Sequence, residues 1–249
     1  MVHGAFCAGW VFENFRGPFE NAGHAVVAPD LPGREAGAPA FATAGLSMRD
    51  FADAIVAVCE AQPEPPVLIG HSLGGLVAQM VASKAQIEAL ILLAPSAPWG
   101  VPGATMEEGI SAVSLYSLGP YWLQAIDPDY ESAKRYLFDH LPPEERRAIF
   151  ARMTAESGRA LWETLNWWLD PLATTLVTAG AVKAPVLAIV GGRDLIHPAA
   201  TVKTTSARLG GDTRVLPAMG HWLVGEAGWA EVAEICLTWL GDEKKLSAA

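Results

Sequence analysis

Apolar positions in this chain recur in two rhythms that alternate along most of its length. Short apolar runs at residues 24–28, 67–70, 89–94, 185–191 and 213–216 are bounded by turn-forming residues and predict strands. Between them the spacing becomes helical. Trp10, Phe15 and Phe19 share one side of a run near the start. Ser47-Met48-Arg49-Asp50 reads as a capping box that opens a helix with Phe51, Ile55, Val58 and Cys59 on its buried stripe. Residues 73–84 are apolar nearly all round and predict a buried helix. The closing run 228–240 places Trp229, Val232, Ala233, Cys236, Trp239 and Leu240 on one face. Strands alternating with helices predict an α/β protein whose mostly parallel sheet is covered on both sides.

Between Ser96 and Gly180 the rhythm breaks. The segment is helical and aromatic, with no convincing strand, and it holds all four tyrosines (Tyr116, Tyr121, Tyr130, Tyr136) and five tryptophans (Trp99, Trp122, Trp162, Trp167, Trp168). An insertion after the carboxyl end of a strand lies over the part of an open sheet where ligands bind. The expected organisation is therefore a core of residues 1–95 and 181–241, a helical cap of residues 96–180, and a polar tail of residues 242–249. Most cap aromatics are expected to glue helices together. Trp122 and Trp167, with Trp222 beyond the cap, are the candidates for lining an apolar, ring-accepting pocket.

Composition narrows the function. A chain of 249 residues can bury a sizeable core. The net charge of -10 and the absence of a Lys/Arg cluster disfavour nucleic acid and anionic membrane as partners. No apolar span is long enough for a membrane helix, and no secretion signal is visible, so a cytoplasmic protein acting on a small molecule is expected. Cys7, Cys59 and Cys236 are far apart, odd in number and without metal-ligand spacing. They read as buried free thiols, with no metal or cofactor expected.

The chemistry is concentrated in Gly70-His71-Ser72-Leu73-Gly74-Gly75. A strand that turns into a helix within one residue strains that residue and crowds its neighbours two positions away, where Gly70 and Gly74 remove the side chains. Ser72 is thereby presented at the tip of a sharp turn, with the Leu73 N–H free to face a developing negative charge. A serine hydroxyl needs a base, and the base needs a carboxylate. His221, after the last predicted strand, and Asp194, after the preceding one, stand at the same sheet edge and in the chain order expected of such a turn. Residues 94–98, after the strand that leads into the insertion, offer no carboxylate before Glu107, which strengthens Asp194. His71 is expected to pack behind the serine, His197 to lie at the surface, and His24 and His140 to be peripheral.

His3-Gly4-Ala5, the Ser72 turn, Gly192-Arg193-Asp194 and Gly220-His221 together resemble the α/β-hydrolase superfamily over nearly the whole chain except the cap. The His-Gly-Ala opening with Trp10 downstream is similar to the branch of small carboxylesterases, plant-type methyl esterases and hydroxynitrile lyases. The resemblance implies the α/β-hydrolase fold, an oxyanion hole formed by the backbone N–H groups of Ala5 and Leu73, and Phe6 as a pocket-lining neighbour. Gly4 stands where the lyase branch has Thr and Trp222 where it has Lys, so cyanohydrin cleavage is not expected. Lactones, thioesters, peroxyacid chemistry and carbon-carbon bonds are open alternatives to esters on the same three residues, as is a slow-turnover ligand receptor. The resemblance also implies about twenty residues before the His-Gly turn, where this chain has Met1 and Val2. The expectation is either a shortened N-terminus or another segment filling the place of the missing strand.

Overall fold

The computed structural model describes residues 1–35, 37–105 and 115–247. Four parallel strands form the sheet, β1 (Val67–His71), β2 (Ala89–Leu93), β5 (Val186–Gly191) and β6 (Asp212–Leu216), in the spatial order β1-β2-β5-β6. Their registers pair Leu68 with Leu90, Leu92 with Ala188 and Ala188 with Thr213. β2 is buried along its whole length, as an all-apolar sequence in the middle of a parallel sheet requires.

Side chains that alternate along these strands serve two separate cores. On one face Leu68, Leu90, Leu92, Ala188 and Val190 pack with α2 (Met48–Glu60), α3 (Leu73–Ala82) and α6 (Ala199–Arg208). On the other, Ile69, Ile91, Leu93, Leu187 and Ile189 pack with α1 (Glu13–Asn21) and α7 (Trp229–Ser247). Of the expected stripes, Phe15 and Phe19 on α1, Phe51, Ile55 and Cys59 on α2, and Val232, Ala233, Cys236 and Leu240 on α7 are buried, while Trp10, Val58, Trp229 and Trp239 are half-buried. The three cysteines are free and buried. No helix among the described residues is long and apolar enough to cross a membrane.

The strand expected at residues 24–28 is not formed. A strand exists only through a paired neighbour. Here the neighbour is reduced to a single bridge, in which Val2 N–H donates to the Ile69 carbonyl at 2.7 Å and His71 N–H to the Val2 carbonyl at 3.0 Å. Residues 24–28 therefore join no ladder, although the Val27 carbonyl accepts from the Met1 amino group at 2.7 Å; His24 to Val27 and the start of β1 line a groove of about 360 Å³. Neither Ser72, Asp194 nor His221 lines that groove.

Among the described residues of 96–180 are two short strands that the sequence pattern did not predict, β3 (Ala125–Ile126) and β4 (Glu156–Ser157), paired antiparallel. With two residues each, neither strand is long enough to impose an alternating pattern. The helices α4 (Pro143–Phe150) and α5 (Gly158–Leu165) flank β4. Tyr121 is fully buried there, its hydroxyl accepting from Asn166 Nδ2 at 2.8 Å.

The capping box at α2 is formed as read: Asp50 Oδ2 accepts the Ser47 N–H at 2.8 Å and Ser47 Oγ accepts the Arg49 N–H at 3.1 Å. The same cap reaches across the chain. Glu163 on α5 accepts from Ser47 Oγ at 2.8 Å and from the Met48 N–H at 2.8 Å, putting a buried carboxylate at the positive end of α2. Ser47→Ala is expected to cost about 1–2 kcal/mol, the usual loss for an N-cap hydroxyl, read from urea denaturation midpoints.

Candidate active site

β1 passes into α3 through Ser72 alone, and the residue takes φ 54° and ψ -123°. A Cβ on Gly70 would collide with the Gly74 carbonyl, and a Cβ on Gly74 with the carbonyls of Val2 and His3. The crossing is pinned from both sides: Ser72 N–H donates to the Leu93 carbonyl at 3.0 Å, and the Ser72 carbonyl accepts from Gly75 at 2.9 Å and Ser96 at 3.0 Å. A Cβ on Gly4 would lie 3.0 Å from Ser72 Cβ, so the His3-Gly4 turn packs directly on the serine. The Ser72 hydroxyl makes no cap bond to α3. Neither the Ala5 nor the Leu73 N–H donates to another backbone group among the described residues.

Because the strands are parallel, their carboxyl ends share one edge, and the loops after β5 and β6 meet there. A Cβ on Gly191 would strike the Met219 and Gly220 carbonyls, so the two loops are in main-chain contact. This brings His221 Nδ1 within 2.9 Å of Asp194 Oδ2, with both side chains buried. Asp194 Oδ1 accepts the N–H groups of Ile196 and His197, each at 2.8 Å. Burial opposes ionisation of Asp194, but His221 and His197 together outweigh it and hold the carboxyl below its ordinary range. Facing a carboxylate, Nδ1 of His221 carries the proton, which leaves Nε2 as the acceptor.

His71 and His197 flank this pair, and His3 lies behind His71. His71 donates from Nε2 to the His221 carbonyl at 3.0 Å, and the two rings are 5.1 Å apart. It therefore ties the residue beside Ser72 to the main chain of His221. Burial first, then the neighbouring His221, push His71 down to about 3. His3 accepts the Leu31 N–H on Nε2 at 2.9 Å and so donates from Nδ1 to the Gly4 carbonyl at 2.9 Å. Burial first and Arg34 second push it down to about 3. His197 was expected at the surface; it is half-buried instead, 2.9 Å from Ser96 Oγ and 5.2 Å from the His221 ring. His24 packs against Phe19, and His140 lies against Gly220, the residue before His221.

Glu226 was not singled out from the sequence. Its carboxylate is buried and accepts the Gly220 N–H on both oxygens, at 2.9 and 3.1 Å, which fixes the turn that carries His221. Burial raises its carboxyl pKa against the pull of that N–H. Its position five residues after His221, in a loop with no periodicity, carried no signal.

The chain matches the alpha/beta hydrolase family over residues 1–235. It belongs to that family. Among solved structures, this hydrolase is similar to the methylesterase MES16 from Arabidopsis (16% identity, 98% of each chain, TM-score 0.69). It is also similar to a thermophilic esterase from Thermogutta terrifontis (21% identity, 97% of this chain and 88% of the other, TM-score 0.69). A third is tomato Methylketone Synthase I complexed with 2-tridecanone (18% identity, 97% and 96%, TM-score 0.74). No match was found among curated proteins.

In this alpha/beta hydrolase, the four residues expected to line a pocket do not come together as one lining: Phe6 and Trp122 share the group around Tyr121, and Trp167 and Trp222 pack elsewhere. Trp222 is a correction: it is 3% exposed, and its ring packs against Phe138 at 5.1 Å, His71 at 5.6 Å and Trp10 at 6.3 Å. It is a core residue beneath the His221 turn. Trp122 packs with Tyr116, Tyr121 and Trp162, whereas Trp167 packs with Trp99 and Trp168, so the two belong to separate aromatic groups. Phe6 packs against the buried group of Tyr121, Ile126 and Leu161, together with Ala5. Glu107 lies outside the described residues. Among the described residues, no group of three His, Cys, Asp or Glu side chains is disposed to hold a metal ion.

The neutral histidines make a testable statement about pH. His3 and His71 are held near 3 when folded and return to about 6.5 when unfolded, so the unfolded chain binds more protons between those values. Their stabilisation is present above pH 6.5 and is lost as pH falls toward 3. Between pH 6 and 4.5, His71→Gln is expected to flatten the pH dependence of stability by about 1.4 kcal/mol per pH unit, measured by guanidinium denaturation.

Proposed function

We propose that this alpha/beta hydrolase cleaves carboxylic esters of small to medium apolar or aromatic substrates through an acyl-enzyme on Ser72. The observation that carries the reading is the buried bond between His221 Nδ1 and Asp194 Oδ2, at the sheet edge where the strained Ser72 is presented. Ser72 Oγ attacks the ester carbonyl carbon while His221 Nε2 takes its proton. Asp194 holds the imidazole in the tautomer that leaves Nε2 bare and stabilises the imidazolium that forms. The oxyanion of the tetrahedral intermediate is held by the N–H groups of Ala5 and Leu73. His221 then protonates the departing alcohol, and water repeats the two steps on the acyl-enzyme.

Residues 96–180 act as a cap in this reading. Their apolar group around Tyr121 and Leu161 packs on Ala5 and Phe6, which favours uncharged acyl or alcohol groups beside the oxyanion donors. The likeness to a methylesterase from Arabidopsis and an esterase from Thermogutta supports the choice of ester over other acyl compounds.

With short chromogenic esters, Ser72→Ala is expected to lower turnover by about 10⁶ and Asp194→Asn by about 10⁴, with thermal unfolding unchanged in shape. Turnover that survives Ser72→Ala in a folded protein overturns the reading. One burst of alcohol followed by a stall points instead to a ligand receptor.

A further inference from the structure

Phe6 follows Ala5 and adopts φ 60°, in the left-handed region that a bulky side chain rarely enters. Both of its backbone groups are held by residues of the insertion. Its N–H donates to Glu156 Oε2 at 3.1 Å, and its carbonyl accepts the Thr154 N–H at 2.9 Å. Glu156 is itself fully buried and is held by three groups. Its Oε1 pairs with the guanidinium of Arg34 and accepts the Ser157 N–H at 2.7 Å, and Arg34 lies over the Phe51 ring at 5.3 Å. Both side chains of the ion pair are excluded from water, so neither can wander without leaving an uncompensated charge.

We propose that the Glu156 carboxylate, braced by Arg34, is a positioning group that aims the Ala5 N–H at the oxyanion. The inference deepens the ester-hydrolase reading and rests on it. The peptide planes on either side of Ala5 share its Cα. A flip of the Ala5–Phe6 plane alone would leave the Ala5 N–H in place, but rotation of the preceding segment about the Phe6 N–Cα bond, toward a relaxed, negative φ, carries Ala5 and its N–H out of aim. The bond from Phe6 N–H to Glu156 blocks that rotation, and the bond from Thr154 N–H to the Phe6 carbonyl blocks it from the other side. A buried charge accepting the N–H suits the task, because charge-assisted bonds are roughly twice as strong as neutral ones. Glu156 touches no reacting atom in this scheme and acts through the backbone.

Removing Glu156 alone strands a buried guanidinium, so the test uses paired neutral variants. Arg34→Met/Glu156→Gln keeps an oxygen that accepts the Phe6 N–H; Arg34→Met/Glu156→Leu does not. Thermal unfolding of both establishes that they fold. The first is expected to keep kcat within about threefold of the parent. The second is expected to lose between about 10- and 100-fold in kcat with KM changed less than about threefold, less than the roughly 10²- to 10³-fold loss on removing an oxyanion donor outright. Affinity for a trifluoromethyl ketone, which forms an oxyanion on the serine, should fall in parallel with kcat, while affinity for the corresponding methyl ketone stays level. A folded Leu double variant with the kcat and trifluoromethyl ketone affinity of the Gln double variant overturns the positioning role and leaves the hydrolase reading standing. A parent protein that neither hydrolyses esters nor takes a fluorophosphonate on Ser72 overturns both.

Discussion

The structure depends on one tight crossing of main chain, where β1 becomes α3 within the single residue Ser72. A non-glycine residue at φ 54° sits in a conformation that costs of order 1–3 kcal/mol and persists only when its surroundings over-determine it. Here they do. The next strand supplies an acceptor for the Ser72 N–H, Gly75 and Ser96 hold its carbonyl, and the Val2-His3 main chain lies where a Cβ on Gly74 would be. The glycines are needed because the neighbouring backbones approach closer than any side chain permits, and the same rule recurs at Gly191, where the loops of Asp194 and His221 touch.

Around that crossing the electrostatics are arranged by exclusion of water. Asp194 stays ionised although buried, because it accepts three hydrogen bonds, while His3 and His71 stay neutral because burial outweighs everything near them. Neutral histidines serve as main-chain staples here: His3 joins Leu31 to Gly4, and His71 joins Ser72's strand to the His221 turn. A proton would take away the Nε2 acceptor that His3 offers Leu31, and would put a buried charge on His71, whose Nδ1 has no partner. The polar framework of the site thus works by fixing where backbone turns lie.

Much of this was legible in the sequence, because it is local. The Gly70-to-Gly75 turn, the positions of Asp194 and His221 at successive strand ends, the Ser47 cap and the buried stripes of α1, α2 and α7 all follow from spacing within a dozen residues. What was not legible depends on partners far along the chain. Residues 24–28 have the composition of a strand and lack the ladder that makes one. Trp222 stands beside His221 and reads as pocket lining, but Phe138 and Trp10 decide where its ring goes. Glu156, Glu163 and Glu226 are buried carboxylates whose partners at Phe6, Met48 and Gly220 are set by tertiary packing, and in sequence each looks like any solvated Glu.

The Arg34–Glu156 pair joins two parts of the chain that lie far apart in sequence. Arg34 belongs to the loop region ahead of α2, and Glu156 to the aromatic insertion, yet neither charge is tolerable without the other. Transplanting a foreign insertion between residues 96 and 180 would remove the acid and leave the base sealed in oil. Any engineered chimera of this scaffold therefore has to exchange Arg34 together with the insertion, or carry across a carboxylate at the position of Glu156. The folding of the two parts is coupled through a contact that no comparison of the inserted segments alone would reveal.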